Sequence, residues 1–358
     1  MVNSRENALR KTLSGVSPGT ELRTGLERIL RGRTGALIVL GFDRSVESLC
    51  SGGFDIDTAF TPTKLRELAK MDGAIVCDKD ATRILKAGVQ LMPDATIPTQ
   101  ESGTRHRSAE RAAKQTGVPV ISVSASMSVI TIYKDEYRYA IEGSQAIMAR
   151  ANQALQTLEH YSARLEQVLG SLSALEIEAS VNVRDVALTL QRMEMVRRIS
   201  EEIGWYVLEL GADGRLISLQ LEELTAGNGP GPDVVLRDYL PDATAPEVVA
   251  GALDQLGELS AAELIDLQKV AAAAGLSGPQ ASLETELHPH GYRLLEGIKS
   301  MPGTVAKRLV SQFDGLQSLM AANLEDLMSV EGIGEQRART VRESLSRMAE
   351  TSLLDRFM

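Results

Sequence analysis

Two short stretches contain the residues whose types and spacing could act on a phosphorylated ligand. The first is Asp72-Gly73-Ala74, between a helix-like segment and a short apolar run. A carboxylate can hold a divalent cation, and a glycine lets a ligand approach the backbone closely. The alternative interpretation is a plain turn between a helix and a strand, which spacing alone favours.

The second stretch, "ESGTRHRSAER", places Arg105, His106 and Arg107 at the start of a predicted helix, with Thr104 as its expected N-cap. A helix N-terminus carries a partial positive charge, so each cation there costs about 0.3–1 kcal/mol. A bound polyphosphate would reverse that sign and satisfy the free backbone N–H groups. The hydroxyls of Thr104 and Ser108 add two donors. The stretch therefore predicts an anion site.

The alternative for this stretch is a solvated basic face, with Glu101 and Glu110 as counter-charges. That interpretation leaves the crowding of cations at the positive end of a helix unexplained. His106 has two possible roles, either as a hydrogen-bond donor to phosphate or as a metal ligand through a ring nitrogen. The sequence leaves both roles open.

Apolar residues precede the loop that leads to this helix. Leu91, with Met92 and Pro93, could line a pocket for a base, or could belong to the core. Ser124, at the end of a predicted strand, is a further candidate for a polar contact. His288 and His290 flank a proline and are interpreted as a loop, because no carboxylate or cysteine set accompanies them.

The N-terminal segment, residues 1–142, must position these groups. Helix-like and strand-like stretches alternate in it, which predicts a sheet packed against helices. The predicted strands are 35–42, 72–78, 82–92, 118–124 and 129–141, and the predicted helices are 61–71 and the one that begins near Thr104.

Residues 143–285 change character. Apolar side chains recur at steps of three and four residues, which predicts long amphipathic helices, and the acidic excess of the chain is concentrated here. The interpretation is an all-helical spine without a catalytic constellation. Residues 286–358 are short, helical and contain two turns of one type.

These two turns resemble helix-hairpin-helix elements. Glycines in such turns let backbone N–H groups reach a DNA phosphate without obstruction by side chains. The first copy, Met301-Pro302-Gly303, is degenerate. The alternative is a helical module for protein interaction. The candidate DNA-binding residues are Gly303, Lys307, Arg308, Gly332, Ile333, Gly334, Arg337 and Arg339.

Composition excludes several classes of protein. The 358 residues carry a net charge of −10, 43% hydrophobic side chains and only two cysteines. No apolar run is long enough to span a membrane, no signal peptide is visible, and two cysteines do not make a disulfide framework. No zinc cluster, Walker A loop or Cys/His pair stands out. These features predict a cytoplasmic protein that does not enter a membrane.

Taken together, "MDGAIVCD", "LMPDATIPTQESGTRHRSAER" and "VEGIGEQRA" resemble the bacterial DNA integrity scanning proteins, the DisA family of diadenylate cyclases. The resemblance follows the whole chain in order, although the spine matches in character only. It implies a multidomain fold: an α/β cyclase domain with a mixed sheet flanked by helices (1–142), an all-α spine (143–285) and an all-α helix-hairpin-helix domain (286–358).

The resemblance implies that two ATP molecules are condensed into cyclic di-AMP (c-di-AMP) with release of two pyrophosphates, and that branched or damaged DNA is sensed. Mg²⁺ or Mn²⁺ is the implied cofactor, held by Asp72 and, as a second option, His106. The catalytic set is Asp72, Arg105, His106 and Arg107. The nucleotide site is Asp72, Gly73, Ala74, Leu91, Thr104, Arg105, His106, Arg107, Ser108 and Ser124.

The symmetry of the product adds an expectation about assembly. Each ATP must attack the other, so two facing domains are needed and Asp72 of one chain would serve the nucleotide of the other. The family forms octamers, which makes a homo-octamer the expectation. The chain departs from relatives after Ser124, where it reads Ala125-Ser126-Met127 instead of carrying arginine nearby. Two other functions remain open: a non-enzymatic DNA-repair scaffold that binds nucleotide, and a nucleotidyltransferase with another acceptor.

Overall fold

The structure is a computed structural model, and it describes residues 10–227, 229–240, 245–276, 282–298 and 301–355. Contacts divide the chain into two compact units, residues 1–153 with 203–219, and residues 154–202 with 220–358. In the described ranges no helix is both long and apolar enough to cross a membrane.

The first unit is built on one mixed sheet of eight strands. Along the sheet the order is β2-β5-β4-β1-β6-β7-β8, and β3 pairs with β5. Only β1 and β4 run parallel among the paired strands described, and the other pairs are antiparallel. The strands are β1 Ala36–Leu40, β2 Cys50–Ser51, β3 Phe54–Ala59, β4 Ala74–Cys77, β5 Arg83–Leu91, β6 Val120–Ser124, β7 Val129–Lys134 and β8 Tyr137–Ile141.

Helices cover both faces of this sheet, which explains why all five residues of β1 are buried. Ile38 packs in the cluster on one face together with Leu26 and Leu65, and Val39 packs on the other face with Ala109. A strand covered on both sides is apolar throughout, as the sequence of β1 indicated. The helices of this layer are α1 Glu21–Arg31, α2 Arg44–Leu49, α3 Pro62–Leu68 and α4 Thr104–Thr116.

The stretch 129–141, which the sequence presented as one strand, is a hairpin. β7 and β8 pair in register from Ile130–Ile141 to Lys134–Tyr137. Asp135 begins the turn with φ at 51°, a left-handed conformation that aspartate tolerates better than most residues. Alternation of apolar and polar residues continues through both strands, which is why periodicity alone did not show the turn.

Two long helices follow the sheet, as the periodicity predicted. In α5 (Ser144–Ile177) the apolar stripe is buried at Ile147, Ala151, Leu158 and Leu165. The remaining helices of the middle region are α6 Val183–Leu210, a 3₁₀ turn Gly211–Gly214, α7 Arg215–Ala226, α8 Pro232–Tyr239, α9 Pro246–Glu258, α10 Ala261–Leu264 and α11 Leu267–Ala273.

The C-terminal region is a compact group of helices around a core that includes Leu295, Leu309, Leu319, Ile333 and Val341. It holds a degenerate and a glycine-rich hairpin, as predicted. The elements are α12 Tyr292–Glu296, α13 Gly303–Gln312, α14 Leu316–Ala321, α15 Leu324–Met328 and α16 Glu335–Asp355.

A buried polar cluster ties α12 to the end of α5 inside the second unit. The Arg293 guanidinium donates through Nε to Glu176 Oε1 at 2.9 Å, and the Tyr239 hydroxyl donates to the same oxygen at 2.5 Å. Both side chains of the ion pair are at most 5% exposed. The carboxylate of Asp238 accepts three backbone N–H bonds from residues 291–293 at the start of α12. No motif or periodicity in the sequence indicates this cluster.

The fold class predicted from the sequence is confirmed. An N-terminal domain with a mixed sheet and flanking helices is followed by a helical middle region and a C-terminal helix-hairpin-helix domain.

Candidate functional site

A cavity of about 690 Å³ opens at one edge of the sheet and collects most of the predicted site residues. Its walls come from the beginning of β4, the ends of β5 and β6, and the beginning of α4. The predicted residues that line it are Gly73, Ala74, Leu91, Thr104, Arg105, His106, Ser108 and Ser124.

Strand register brings these distant parts of the sequence together. Ala74 stands opposite Leu37 on one side and Val89 on the other, so three neighbouring strands reach the cavity at the same level. On the next strand Val123 pairs with Ala36. β1 runs antiparallel to β6, and β4 runs antiparallel to β5. The first residues of β1 and β4 therefore lie beside the last residues of β6 and β5.

Two predicted residues, Asp72 and Arg107, do not line the cavity of the single chain. Both are exposed, next to cavity residues Gly73 and His106 respectively. In the single chain Asp72 thus lies beside the cavity, and its action on a nucleotide held by another chain stays a prediction.

Gly73 is required by the fold itself. Its φ is 106°, and a β-carbon there would lie 2.6 Å from the carbonyl carbon of Gly88 and 2.8 Å from the carbonyl oxygen of Val89. Real β-carbons do not come this close to backbone atoms. The sequence had explained this glycine by the approach of a ligand, whereas the structure shows that the approach of β5 already excludes any side chain.

The beginning of α4 differs by one residue from the expectation that Thr104 is the N-cap. Gly103 is the N-cap, it makes no side-chain capping bond, and Thr104 is the first helical residue. The backbone amide of Arg107 is the first to bond within the helix, to the carbonyl of Gly103. Without a side-chain cap, the preceding amides stay available to an anion.

The guanidinium of Arg105 lies against Gly35, a residue that the sequence did not single out. A β-carbon on residue 35 would stand 2.0 Å from Nη1 of Arg105 and 3.2 Å from the carbonyl oxygen of Val123. Among the described residues, Arg105 and Arg107 have no ion-pair or hydrogen-bond partner for their guanidinium groups. Their charge is available to a ligand.

The two acidic residues that could have neutralised these cations are engaged elsewhere. Glu101 accepts hydrogen bonds from the Tyr133 hydroxyl at 2.8 Å and from Arg138 Nε at 2.5 Å. Glu110 pairs with Lys114 at 3.0 Å. Burial opposes ionisation of Glu101, but its hydrogen bonds from Arg138 and Tyr133 outweigh it and hold the pKa below the usual value. Glu101 and Glu110 therefore do not act as counter-charges to Arg105 and Arg107 in the structure.

His106 is buried, at 6% exposure, and contributes to the cavity wall. Its Nδ1 lies 2.9 Å from the Tyr133 hydroxyl, and its Nε2 is buried without a hydrogen-bond partner. Burial lowers the pKa of the ring, and the charge of Glu101 opposes that effect. A buried nitrogen without a partner is costly unless a ligand completes it.

The donor set for a metal is small. Across the described residues, no group of three or more His, Cys, Asp or Glu side chains is arranged to hold an ion. Asp72 and the free Nε2 of His106 are the predicted ligands near the cavity. Mg²⁺ is commonly bound through one or two carboxylates together with substrate phosphates, and Asp72 is the predicted residue that suits this mode.

The C-terminal hairpins expose their turns to solvent. At Gly303 and Gly334 a β-carbon would meet no atom within 4 Å, so the backbone there is open to a phosphate. Gly332 has φ at 87°, which favours glycine, and Ile333 is buried in the domain core. The side chain of Ile333 therefore anchors the turn in the core and is not available to DNA. Its inclusion among the candidate DNA contacts is corrected in this respect.

The candidate basic residues of this domain differ in what they contact. Arg308 donates to the Glu331 carbonyl at 2.9 Å, and Arg337 donates to the Gly332 carbonyl at 2.6 Å, so both brace the second turn. Arg339 pairs with Glu335 on α16. Lys307 is exposed, and among the described residues its ammonium group forms no ion pair or hydrogen bond. The structural contacts of Arg308 and Arg337 were not visible in the sequence.

Comparisons with known families agree with this architecture. The family described as "DisA bacterial checkpoint controller nucleotide-binding" matches residues 23–137, and "DisA bacterial checkpoint controller linker region" matches residues 141–283. A "Helix-hairpin-helix motif" matches residues 293–354. The fold and site thus define a nucleotide-binding domain joined by a helical linker to a helix-hairpin-helix domain.

Full-length relatives give the family. A DNA integrity scanning protein DisA from Kineococcus radiotolerans is 58% identical over 353 residues, covering 99% of this chain and 98% of the relative. Proteins of the same name from Streptomyces griseus and Acidothermus cellulolyticus are each 56% identical over 355 residues, covering 99% of this chain and 95% and 96% of those relatives. The chain belongs to the DNA integrity scanning protein DisA family, which confirms the resemblance read from its motifs.

Proposed function

We propose that this protein is a diadenylate cyclase that condenses two ATP molecules into c-di-AMP and two pyrophosphates. The main support for the proposal is Arg105, a cation at the uncapped N-terminus of α4. Arg105 has no partner among the described residues, lines the cavity and stands where free amides favour an anion. A nucleotide triphosphate supplies the matching charge, and family membership supports it.

Within this proposal each side chain has a role that follows from its place. Arg105 in the cavity wall, and Arg107 exposed beside it, bind the triphosphate and stabilise the charge of departing pyrophosphate, because a guanidinium group can form two hydrogen bonds to phosphate oxygens. Leu91 packs on the adenine. Thr104 and Ser108 donate hydroxyl hydrogen bonds. Positioning and charge neutralisation supply most of the rate in transfers at phosphorus.

A divalent cation, Mg²⁺ or Mn²⁺, completes the proposed site. When bound it lowers the pKa of the attacking 3′-hydroxyl and neutralises charge on the α-phosphate. Asp72 and His106 are the residues that would hold it. Ala74, at 0% exposure, begins β4 directly after Asp72 and Gly73 and fixes the position of that turn.

Assembly follows from the chemistry of the product. One domain with one ATP cannot close a ring of two nucleotides, so we propose a homo-oligomer in which two cyclase domains face each other. The exposed position of Asp72 outside the cavity of its own chain supports this arrangement. The octamer expected from the family is part of the proposal.

Three functional regions accompany this assignment: cyclase (1–142), spine (143–285) and DNA-binding domain (286–358), in a cytoplasmic protein. We propose that branched or junction DNA binds at the open turns around Gly303 and Gly334, with Lys307 and Arg339 contributing charge. The helix-hairpin-helix match supports this.

The DNA assignment is tested by Gly334→Asp, which places a carboxylate where a phosphate would approach. Affinity for a four-way junction should fall while basal cyclisation stays unchanged. Ser318→Asp, on α14, adds the same charge at an exposed position away from the turn and is the matched control. Equal affinities of the Gly334 and Ser318 variants would count against the hairpin surface.

The enzymatic assignment is tested by incubating the full chain with ATP and Mn²⁺ and separating the products by chromatography. The proposal predicts c-di-AMP and pyrophosphate. Bound ATP without a product would indicate the DNA-repair scaffold, and an adenylated acceptor would indicate another nucleotidyltransferase. Either of these results would overturn the proposal.

A further inference from the structure

Three side chains from different parts of the cyclase domain form one hydrogen-bonded chain behind the cavity. Glu101 precedes α4, His106 lies in its first turn, and Tyr133 lies on β7. The Tyr133 hydroxyl is 2.8 Å from Glu101 Oε1 and 2.9 Å from His106 Nδ1. Tyr133 is 1% exposed and does not line the cavity, so it has no access to a nucleotide.

The number of protons available fixes the direction of the hydrogen bonds among Glu101, Tyr133 and His106. An ionised carboxylate can only accept, and a tyrosine hydroxyl has one proton to donate. The pKa of Glu101 lies below its usual value, so the carboxylate is ionised at neutral pH. Tyr133 therefore donates to Glu101, and its oxygen accepts from His106. The Nδ1 of His106 must carry a proton.

The other ring nitrogen is then the one offered to the cavity. In a neutral imidazole with a proton on Nδ1, Nε2 carries a lone pair and no proton. Only 6% of His106 is exposed, and a second proton would leave a positive charge buried on the ring, so the neutral form is favoured. Nε2 is itself buried and has no partner in the protein. It is a preset electron-pair donor on a residue of the cavity wall.

We infer that Glu101 and Tyr133 are positioning residues that hold His106 in one tautomer, so that Nε2 binds the divalent cation accompanying the nucleotide. This inference rests on the proposed function and concerns the same site. It chooses between the two roles left open for His106, because an unprotonated Nε2 cannot donate to phosphate. Carboxylate groups behind a metal-binding histidine are a recurrent way to fix its tautomer and strengthen its basicity.

The test compares Tyr133→Phe, His106→Gln and the double variant in the full chain. Binding of Mn²⁺ is measured by electron paramagnetic resonance in the presence of a non-hydrolysable ATP analogue. Loss of a residue behind a metal ligand typically weakens metal affinity by about 10–100-fold, and that is the expected effect of Tyr133→Phe. Because Tyr133 acts only through His106, the double variant should bind Mn²⁺ as His106→Gln does.

Tyr137→Phe is the matched control, because Tyr137 is 43% exposed on β8 and its hydroxyl forms no hydrogen bond with the described residues. It should leave Mn²⁺ affinity unchanged. Unchanged affinity in Tyr133→Phe, or losses in the double variant that multiply those of the single variants, would overturn the inference.

Glu101→Gln provides a second route if Tyr133→Phe does not fold. The amide of a glutamine can donate to the tyrosine oxygen, which frees the tyrosine proton for Nδ1 and favours the opposite tautomer. Mn²⁺ affinity should fall here too, and unchanged affinity would contradict the inference. If the wild type binds Mn²⁺ as described but makes no c-di-AMP, only the proposed function is refuted. If the wild type makes c-di-AMP but the effects of Tyr133→Phe and His106→Gln on Mn²⁺ affinity multiply, only the positioning role of Tyr133 and Glu101 is refuted.

Discussion

The guanidinium of Arg105 occupies the space that a side chain on residue 35 would need. A β-carbon at Gly35 would lie 2.0 Å from Nη1 and 2.9 Å from Cζ of Arg105. Gly35→Ala should therefore displace the guanidinium and remove a charge-assisted bond to the triphosphate, with a loss of about 1.5–3 kcal/mol, or roughly ten- to hundredfold, in nucleotide affinity. Isothermal titration with a non-hydrolysable ATP analogue measures this.

Gly143→Ala is the control for that experiment, because a β-carbon there meets no atom within 4 Å. Its affinity for the analogue should equal that of the wild type. Both variants should unfold at the wild-type temperature within a few degrees. Wild-type affinity in Gly35→Ala would show that Arg105 does not need this position to bind the nucleotide.

Gly73→Ala should act on folding instead of binding. The β-carbon would enter the backbone of Gly88 and Val89, and its φ of 106° is unfavourable for any other residue. Strain of this kind costs at least about 1–3 kcal/mol, so the thermal unfolding temperature of the cyclase domain should fall. Differential scanning calorimetry that finds an unchanged transition would mean that β5 can move away, contrary to this account.

The ion pair between Glu176 and Arg293 should contribute strongly to stability. Removing one partner of a buried pair leaves an uncompensated charge and typically costs about 3–5 kcal/mol. Glu176→Gln should lower the free energy of unfolding by that amount in urea. Glu335→Gln breaks the exposed pair with Arg339, where about 1 kcal/mol or less is expected. Equal losses of unfolding free energy in Glu176→Gln and Glu335→Gln would show that burial does not make the Glu176–Arg293 pair more important for stability.

Stability should also depend on pH through Glu194 on α6. Burial raises the pKa of this carboxyl, but hydrogen bonds from Arg197 and Arg198 outweigh burial and bring the pKa below the ordinary 4.5. A lowered pKa in the folded state means that the contribution is complete above the unfolded value and is lost as pH falls through the folded value.

The corresponding measurement is the difference in unfolding free energy between wild type and Glu194→Gln as a function of pH. It should be constant from neutral pH down to about pH 5 and should shrink below that. A difference that stays constant under acid conditions would show that the ionised form of Glu194 is not the stabilising one.

The sequence predicted the architecture because its signals are local. The apolar run of β1, the Thr61-Pro62 start of α3 and the stripe of α5 each depend on neighbouring residues only, and each is confirmed. The structure also places Gly73, Arg105 and His106 around one cavity. Their predicted grouping came from recognising two motifs together, since nothing in their spacing of about 30 residues requires contact.

The remaining features depend on contacts between residues far apart in sequence. The importance of Gly35 is visible only from the nearby guanidinium of Arg105. The importance of Tyr133 is visible only from its hydrogen bonds with Glu101 and His106. No periodicity or motif encodes such contacts. The Asp135 turn was missed for a different reason, because alternation continues on both sides of it and a tight hairpin needs only a two-residue interruption.

Asp72→Asn, assayed with ATP and Mn²⁺ by chromatography of c-di-AMP, tests whether the Asp72 carboxylate is needed for cyclisation. Asp80→Asn, an exposed aspartate after the far end of β4, is the matched control. Asp72→Asn should make no c-di-AMP, while its oligomer, measured by size-exclusion chromatography with light scattering, stays that of the wild type. Asp80→Asn should remain fully active. Full cyclisation by Asp72→Asn would contradict the need for this carboxylate.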